Sequence, residues 1–193
     1  MDKEQLINFI QNNSNASLQI IENIAEHFEE KEFLKNDYFI KEGKHSFDYL
    51  FLAEGFMRAF TFDMNGNEIT TNFFPKNSMV FEASSFFMHT VSLENIQAVT
   101  HSKGFSISFE KLNMLFHTLP EFREYGRSIL VKSLVAFKKR TLGMINKSGE
   151  ERYADLINAN REVFKYAQLK HIASYLGMTS TSLSRIRKEF SKN

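Results

Sequence analysis

A switch of period at Phe109 constrains this chain more than any other feature. Before it, from about Phe33, short aromatic and β-branched runs alternate with turn-prone pieces; after it, apolar residues recur at helical spacing. The runs are Tyr38–Ile40, Tyr49–Leu52, Phe56–Phe62, Ile69–Phe74, Ile96–Thr100 and Phe105–Ser108. Glu42-Gly43, Glu54-Gly55, Asn65-Gly66, Pro75–Ser78 and Lys103-Gly104 punctuate them. Asn65-Gly66 predicts a tight hairpin, because both residues tolerate positive φ. Several short strands at this spacing predict a β-sandwich or barrel of jelly-roll type. Upstream, Leu6, Phe9 and Ile10, then Ile20 or Ile21, Ile24 and Phe28, predict helices over about the first thirty residues.

Past Phe109, Thr118-Leu119-Pro120-Glu121 reads as a capping box with Pro in the first turn of a long helix. On it Leu130, Leu134, Phe137, Thr141 and Met144 alternate at 4 and 3 spacing, the seam of a coiled coil and hence a candidate dimer face. The helix runs to about Gly143, and Gly143–Gly149 is the expected hinge. Ser148-Gly149-Glu150-Glu151 is a second capping box, opening a helix with Tyr153, Leu156 and Ile157 inward. Asn158–Val163 reads as a polar break.

Net charge follows the same division. Residues 1–118 carry 9 Lys+Arg against 16 Asp+Glu, whereas residues 119–193 carry 15 against 7. The total of +1 thus hides an acidic body and a basic end, the asymmetry of a chain that meets a polyanion. With Cys 0 there is no thiolate nucleophile, cysteine zinc site or cysteine-held iron–sulfur cluster. No apolar run approaches the roughly 20 residues of a membrane span, and the start of the chain lacks a signal-peptide pattern. A cytoplasmic protein without membrane partners is expected.

Leu169–Lys188 reads as a helix-turn-helix. Ala173 is small where two helices cross, Gly177 takes the positive φ of the turn, and Thr179 caps the second helix. Ile172, Leu176, Leu183 and Ile186 supply the inner faces. The second helix presents small hydroxyls followed by bases, as a major-groove reader needs. Ser180 and Thr181 should approach base edges, and Arg185 can be bidentate to guanine. Thr179, Ser182, Arg187 and Lys188 are placed for phosphates. Lys170 adds nonspecific attraction, and Lys138-Lys139-Arg140 reads as a solvated face of the long helix.

In that order, the β-roll, long helix, capped helix and helix-turn-helix resemble the Crp/Fnr family of bacterial transcription regulators, over nearly the whole chain. Tyr38–Gly43 and Asp48–Arg58 look like that family's cyclic-nucleotide-binding fold, and Leu183–Arg187 is similar to members from the Bacteroidetes. The resemblance implies an α+β fold: a cyclic-nucleotide-binding-like jelly roll with flanking helices (1–118), a dimerisation helix and hinge (119–147), and a helix-turn-helix domain (148–193). It implies a homodimer on near-palindromic double-stranded DNA, with RNA polymerase and an unidentified small-molecule effector as further partners. Neither a catalytic residue nor a cofactor is expected.

The departures from the family pattern bear on the effector. Members that bind cyclic AMP use Gly-Glu, then Arg-Ser or Arg-Thr roughly ten residues later, to seat the cyclic phosphate. Here those positions hold Phe81-Glu82 and Ser92-Leu93, and the position facing adenine falls near the apolar Phe137. Cyclic AMP is therefore not expected. A pocket for another effector would be lined by Glu82, Ser84, Ser85, Ser92 and Phe137. Two alternatives stand beside this reading. One is an effector-free regulator whose barrel makes protein contacts. The other is a cupin-like metal enzyme, which the absence of any His-x-His disfavours.

Overall fold

The computed structural model describes residues 3–190. Two amphipathic helices, α1 (Glu4–Gln11) and α2 (Leu18–Glu26), precede strands β1 (Glu29–Phe33), β2 (Tyr38–Ile40), β3 (Asp48–Glu54) and β4 (Phe56–Phe62). β5 (Glu68–Pro75), β6 (Ser78–Val80), the short helix α3 (Ala83–Met88), β7 (Asn95–Ala98) and β8 (Ser102–Ser108) follow. The strands form two antiparallel four-stranded sheets, ordered β1-β8-β3-β6 and β2-β7-β4-β5, which face each other as a jelly roll. Leu50, Leu52, Met57, Ala59, Phe74, Val80, Ile96 and Ala98 fill the space between them. Burying each large side chain there contributes roughly 1.5–3 kcal/mol.

Strand periodicity assigns the opposite faces. In β4, Met57 and Ala59 join the filled interior, so Phe56, Arg58 and Phe60 take the other side, and all five are buried. A strand buried on both faces needs a cover on its outside. For the first sheet that cover is α1, α2, α3 and α4 (Phe109–Thr118) with the start of α5 (Pro120–Asn146), packed on Tyr49, Phe51, Phe105 and Ile107. For the second it is the C-terminal helices: α6 (Gly149–Ala159), α7 (Val163–Tyr166), α8 (Leu169–Tyr175) and α9 (Ser180–Phe190). No helix among the described residues is long and apolar enough to cross a membrane.

Several local expectations are corrected. β1 straddles the boundary between the stretch read as helical and the first strand-like residues, and β6, not read as a strand, begins on the last residue of the Pro75–Ser78 turn. At the hairpin only Gly66 takes positive φ (+78°), and the loop is longer than a two-residue turn: the Asp63 carboxylate accepts from the N–H groups of Asn65 and Asn67. Thr118 does not cap α5. It ends α4, its hydroxyl donating to the Met114 carbonyl at 2.9 Å, and extended Leu119 leads directly into Pro120. α5 continues past Gly143 to Asn146, so the break falls at Lys147–Ser148. There the second capping box stands as read: Ser148 Oγ accepts from Glu151 N–H, and Glu151 accepts from Ser148 N–H. Val163–Tyr166, next to the polar break, is helical.

Candidate nucleic-acid interface

The helix-turn-helix is built on three local devices. Gly177 has φ +63°, which turns the chain sharply after α8. Met178 N–H then donates back to the Ala173 carbonyl at 3.0 Å, and Ala173 is buried at the crossing. Thr179 Oγ1 accepts from Ser182 N–H at 3.1 Å, capping α9. Ile172, Leu176, Leu183 and Ile186 are buried together with Tyr153, Leu156 and Val163.

With Leu183 and Ile186 inward, helical spacing turns Thr181, Ser184, Arg185 and Lys188 outward, and all four are exposed. Ser180 and Ser182 border that face, and Thr179 lies at its start. Arg187 sits on the Leu183 side, away from the centre. Ser184 was not singled out from the sequence. Its position one turn after Ser180, whose carbonyl its hydroxyl meets at 2.9 Å, is the signal that places it on the outer face.

Behind this pair lies a joint that sequence reading missed. The Arg58 guanidinium, 4% exposed, donates to Glu68, to Nδ1 of His171 and to Thr70 Oγ1 (3.4 Å), and lies over the Phe60 ring at 4.2 Å. Thr70 N–H donates to Ser174 Oγ at 3.1 Å. Burial and the Arg58 charge push the His171 imidazole down to about 4, with Lys170 acting the same way and Glu68 against them. Burial pushes the Glu68 carboxyl up, but the Arg58 hydrogen bond and charge outweigh it and hold the group below its usual range. The missed signal is β4 itself: Phe56 and Phe60, on either side of Arg58, make its outer face too apolar for solvent.

Tyr175 completes the joint. Its ring meets Phe73 of β5 at 5.1 Å, the Arg140 guanidinium lies 4.2 Å from its centre, and Arg140 Nη2 donates to its carbonyl at 3.1 Å. Arg140 is thus not part of a solvated face, although Lys138 and Lys139 are exposed.

Elsewhere on α5, Leu130, Leu134, Phe137 and Met144 are exposed apolar residues, and Thr141 Oγ1 donates to the Phe137 carbonyl at 3.0 Å. Val131, Val135, Leu142 and Ile145 widen the predicted seam into a broad apolar face, with Leu134 at 65% and Phe137 at 64% exposure. The polar side chains proposed for an effector are hydrogen-bonded within the chain. Glu82 caps α3, accepting from the N–H groups of Ser84 (3.3 Å) and Ser85 (2.7 Å). Ser85 Oγ accepts from Ser46 N–H at 2.7 Å, and Ser92 Oγ donates to the Glu94 carbonyl at 2.6 Å. The Phe81 ring lies 4.7 Å from that of Tyr49, tilted by 32°, and Phe137 stands on α5. Among the described residues no group of three His, Asp or Glu side chains could hold a metal ion.

No family model and no curated protein sequence matches the chain. Solved structures do. The c-di-GMP-responsive global regulator CLP of Xanthomonas campestris is 15% identical, with 91% of this chain and 92% of that one covered and a TM-score of 0.68. FixK2 of Bradyrhizobium japonicum is 13% identical over 86% of this chain and 85% of that one, at 0.73. The catabolite activator protein of Thermus thermophilus is 15% identical over 92% and 85%, at 0.59. The chain therefore has the fold of the Crp/Fnr regulators, as its motifs implied.

Proposed function

We propose that this chain is a homodimeric, sequence-specific DNA-binding transcription regulator of the cytoplasm and not an enzyme. One observation carries the reading: α9, entered through the Gly177–Thr179 turn, points Thr181, Ser184, Arg185 and Lys188 outward while Ile172, Leu176, Leu183 and Ile186 bury the inner faces of α8 and α9. Hydroxyls in the first turns and bases beyond suit base edges and phosphates of a major groove. The broad apolar face of α5 supports the dimer, since a self-complementary seam pairs two copies about a two-fold axis and asks for a near-palindromic operator. The structural neighbours, described as a global regulator and a catabolite activator protein, lend the reading their fold.

Cyclic AMP is not the effector on this reading. Phe81 stands where a cyclic phosphate needs backbone, Ser92 brings no cation, and Glu82 is spent on α3. Selection of binding sites from a random DNA pool tests the whole. A two-fold symmetric consensus is the expected result; the absence of any enriched sequence would refute it.

A further inference from the structure

Between the C-terminal half of α5, α6 and the end of α8 lies a crevice of about 660 Å3. Ala136, Leu156 and Leu176 give it apolar walls, and Lys139, Arg140 and Arg152 line it with positive charge. The one carboxylate lining it, Asp155, is already engaged, at 2.6 Å from Lys147. Arg152 donates to the carbonyls of Leu176 (2.9 Å) and Lys147 (2.6 Å), and Arg140 to that of Tyr175. Neither guanidinium has a carboxylate partner among the described residues, and the Nε of Arg140 is buried without an acceptor. Lys139 likewise makes no ion pair among them.

Cations without carboxylate partners beside apolar walls suit an anion that has an apolar body. We propose that this crevice binds a small organic anion, its acidic head on Arg140 and Arg152 and its body against Ala136, Leu156 and Leu176. A guanidinium fork suits a carboxylate or phosphate head, and the volume is that of an ordinary small-molecule site. A duplex phosphate has no use for the apolar walls. On α5, helical spacing puts Ala136, Arg140 and Gly143 on the side opposite Val131, Leu134 and Ile145; of the lining residues Met144 alone also belongs to the apolar face, so a second copy there leaves most of the crevice open. The ligand would touch three helices whose relative angle sets the position of α9; that consequence alone rests on the DNA reading.

The test uses the full chain and two fluorescent probes of similar shape, anionic anilinonaphthalene sulfonate and neutral phenylnaphthylamine. The sulfonate should bind saturably and more tightly than the neutral probe. Arg140→Gln should weaken the sulfonate about tenfold and the neutral probe less than about twofold. Arg140 also steadies Tyr175, so a second variant guards against misfolding: Ala136→Trp, at an exposed position on the crevice wall, should abolish binding of both probes. Unchanged sulfonate affinity in Ala136→Trp overturns the site, and equal affinity of the two probes for the unaltered chain overturns its chemistry. Weaker binding to arbitrary duplex DNA in Arg140→Gln, with sulfonate affinity intact, would assign these cations to DNA backbone and also overturn it. None of the probe measurements depends on DNA binding, so the two readings fail separately.

Discussion

The buried guanidinium of Arg58 donates to Nδ1 of His171, so the imidazole is neutral and carries its proton on Nε2. The bond joins β4 of the barrel to the first helix of the helix-turn-helix pair. Thr70 and Ser174 repeat the connection one step along, and Tyr175 continues it to the long helix through Arg140. Barrel, long helix and helix-turn-helix therefore meet on one face of α8. A shift in any of them would break polar contacts there.

His171 should make stability pH-dependent. Its folded value, about 4, lies below the ordinary 6.5, so the unfolded chain binds the extra proton first. Stability is full above about pH 6.5, falls as pH drops toward 4, and loses nothing further from this group below that. The loss should be about 1–2 kcal/mol, less than a fully buried histidine would give, because Glu68 leaves the site in touch with solvent. His171→Gln keeps an acceptor for Arg58 and cannot titrate. Urea melts at pH 7, 6, 5 and 4 should flatten in that variant over this window, leaving only the carboxylates, Glu68 among them, to destabilise it at lower pH.

Gly177 offers a cleaner measurement of backbone strain. Gly177→Ala should cost about 1–2 kcal/mol, because φ +63° is disfavoured for alanine. A Cβ there would also meet the terminal methyl of Met144, but that flexible side chain can move aside. Gly177→Asn carries the same Cβ and tolerates the left-handed region better, so it should cost less. Equal losses in denaturant melts would assign the effect to Met144.

What could be read before folding was local. Gly177, Thr179 and the Ser148 box announce themselves because each device lies within four residues of chain. β1 stayed hidden because Glu29-Glu30-Lys31-Glu32-Phe33 is a charged edge strand whose pairing comes entirely from β8. α3 stayed hidden because Glu82, read as an effector ligand, is its cap. Thr118 misled because a capping box and the end of a preceding helix look alike when only a leucine separates them from the proline. The joint was out of reach for a different reason: Arg58 and His171 stand 113 residues apart in the sequence, and only the doubly buried β4 hinted that something covers it.

The apolar face of α5 gives a prediction about assembly. Leu134→Glu removes no contact within the chain's own core, since the side chain is 65% exposed. It should leave the unfolding free energy of the monomer within about 0.5 kcal/mol of that of the unaltered monomer. At a two-fold seam, however, it sets two carboxylates together in an apolar interface. Sedimentation should shift from dimer to monomer, and operator binding should lose its two-site cooperativity. A dimer that persists in Leu134→Glu would place the interface elsewhere.

The outer face of α9 separates residues that read from residues that hold. Arg185→Ala should cost roughly 1–3 kcal/mol on a selected operator and relax one base position per half-site, because a bidentate guanine contact is lost. Lys188→Gln should weaken all sequences alike and reduce the slope of log K against log salt by about 1 per chain, since it removes one phosphate neutralisation. Ser184→Ala tests the residue that helical spacing adds to the face. Its hydroxyl already has the Ser180 carbonyl as a partner, so its loss should leave helix stability within about 0.5 kcal/mol, and any change belongs to DNA. Binding isotherms at several salt concentrations distinguish the three. Should Arg185→Ala move the salt slope and leave base preference untouched, Arg185 is a phosphate contact, and base reading falls to Thr181 and Ser184.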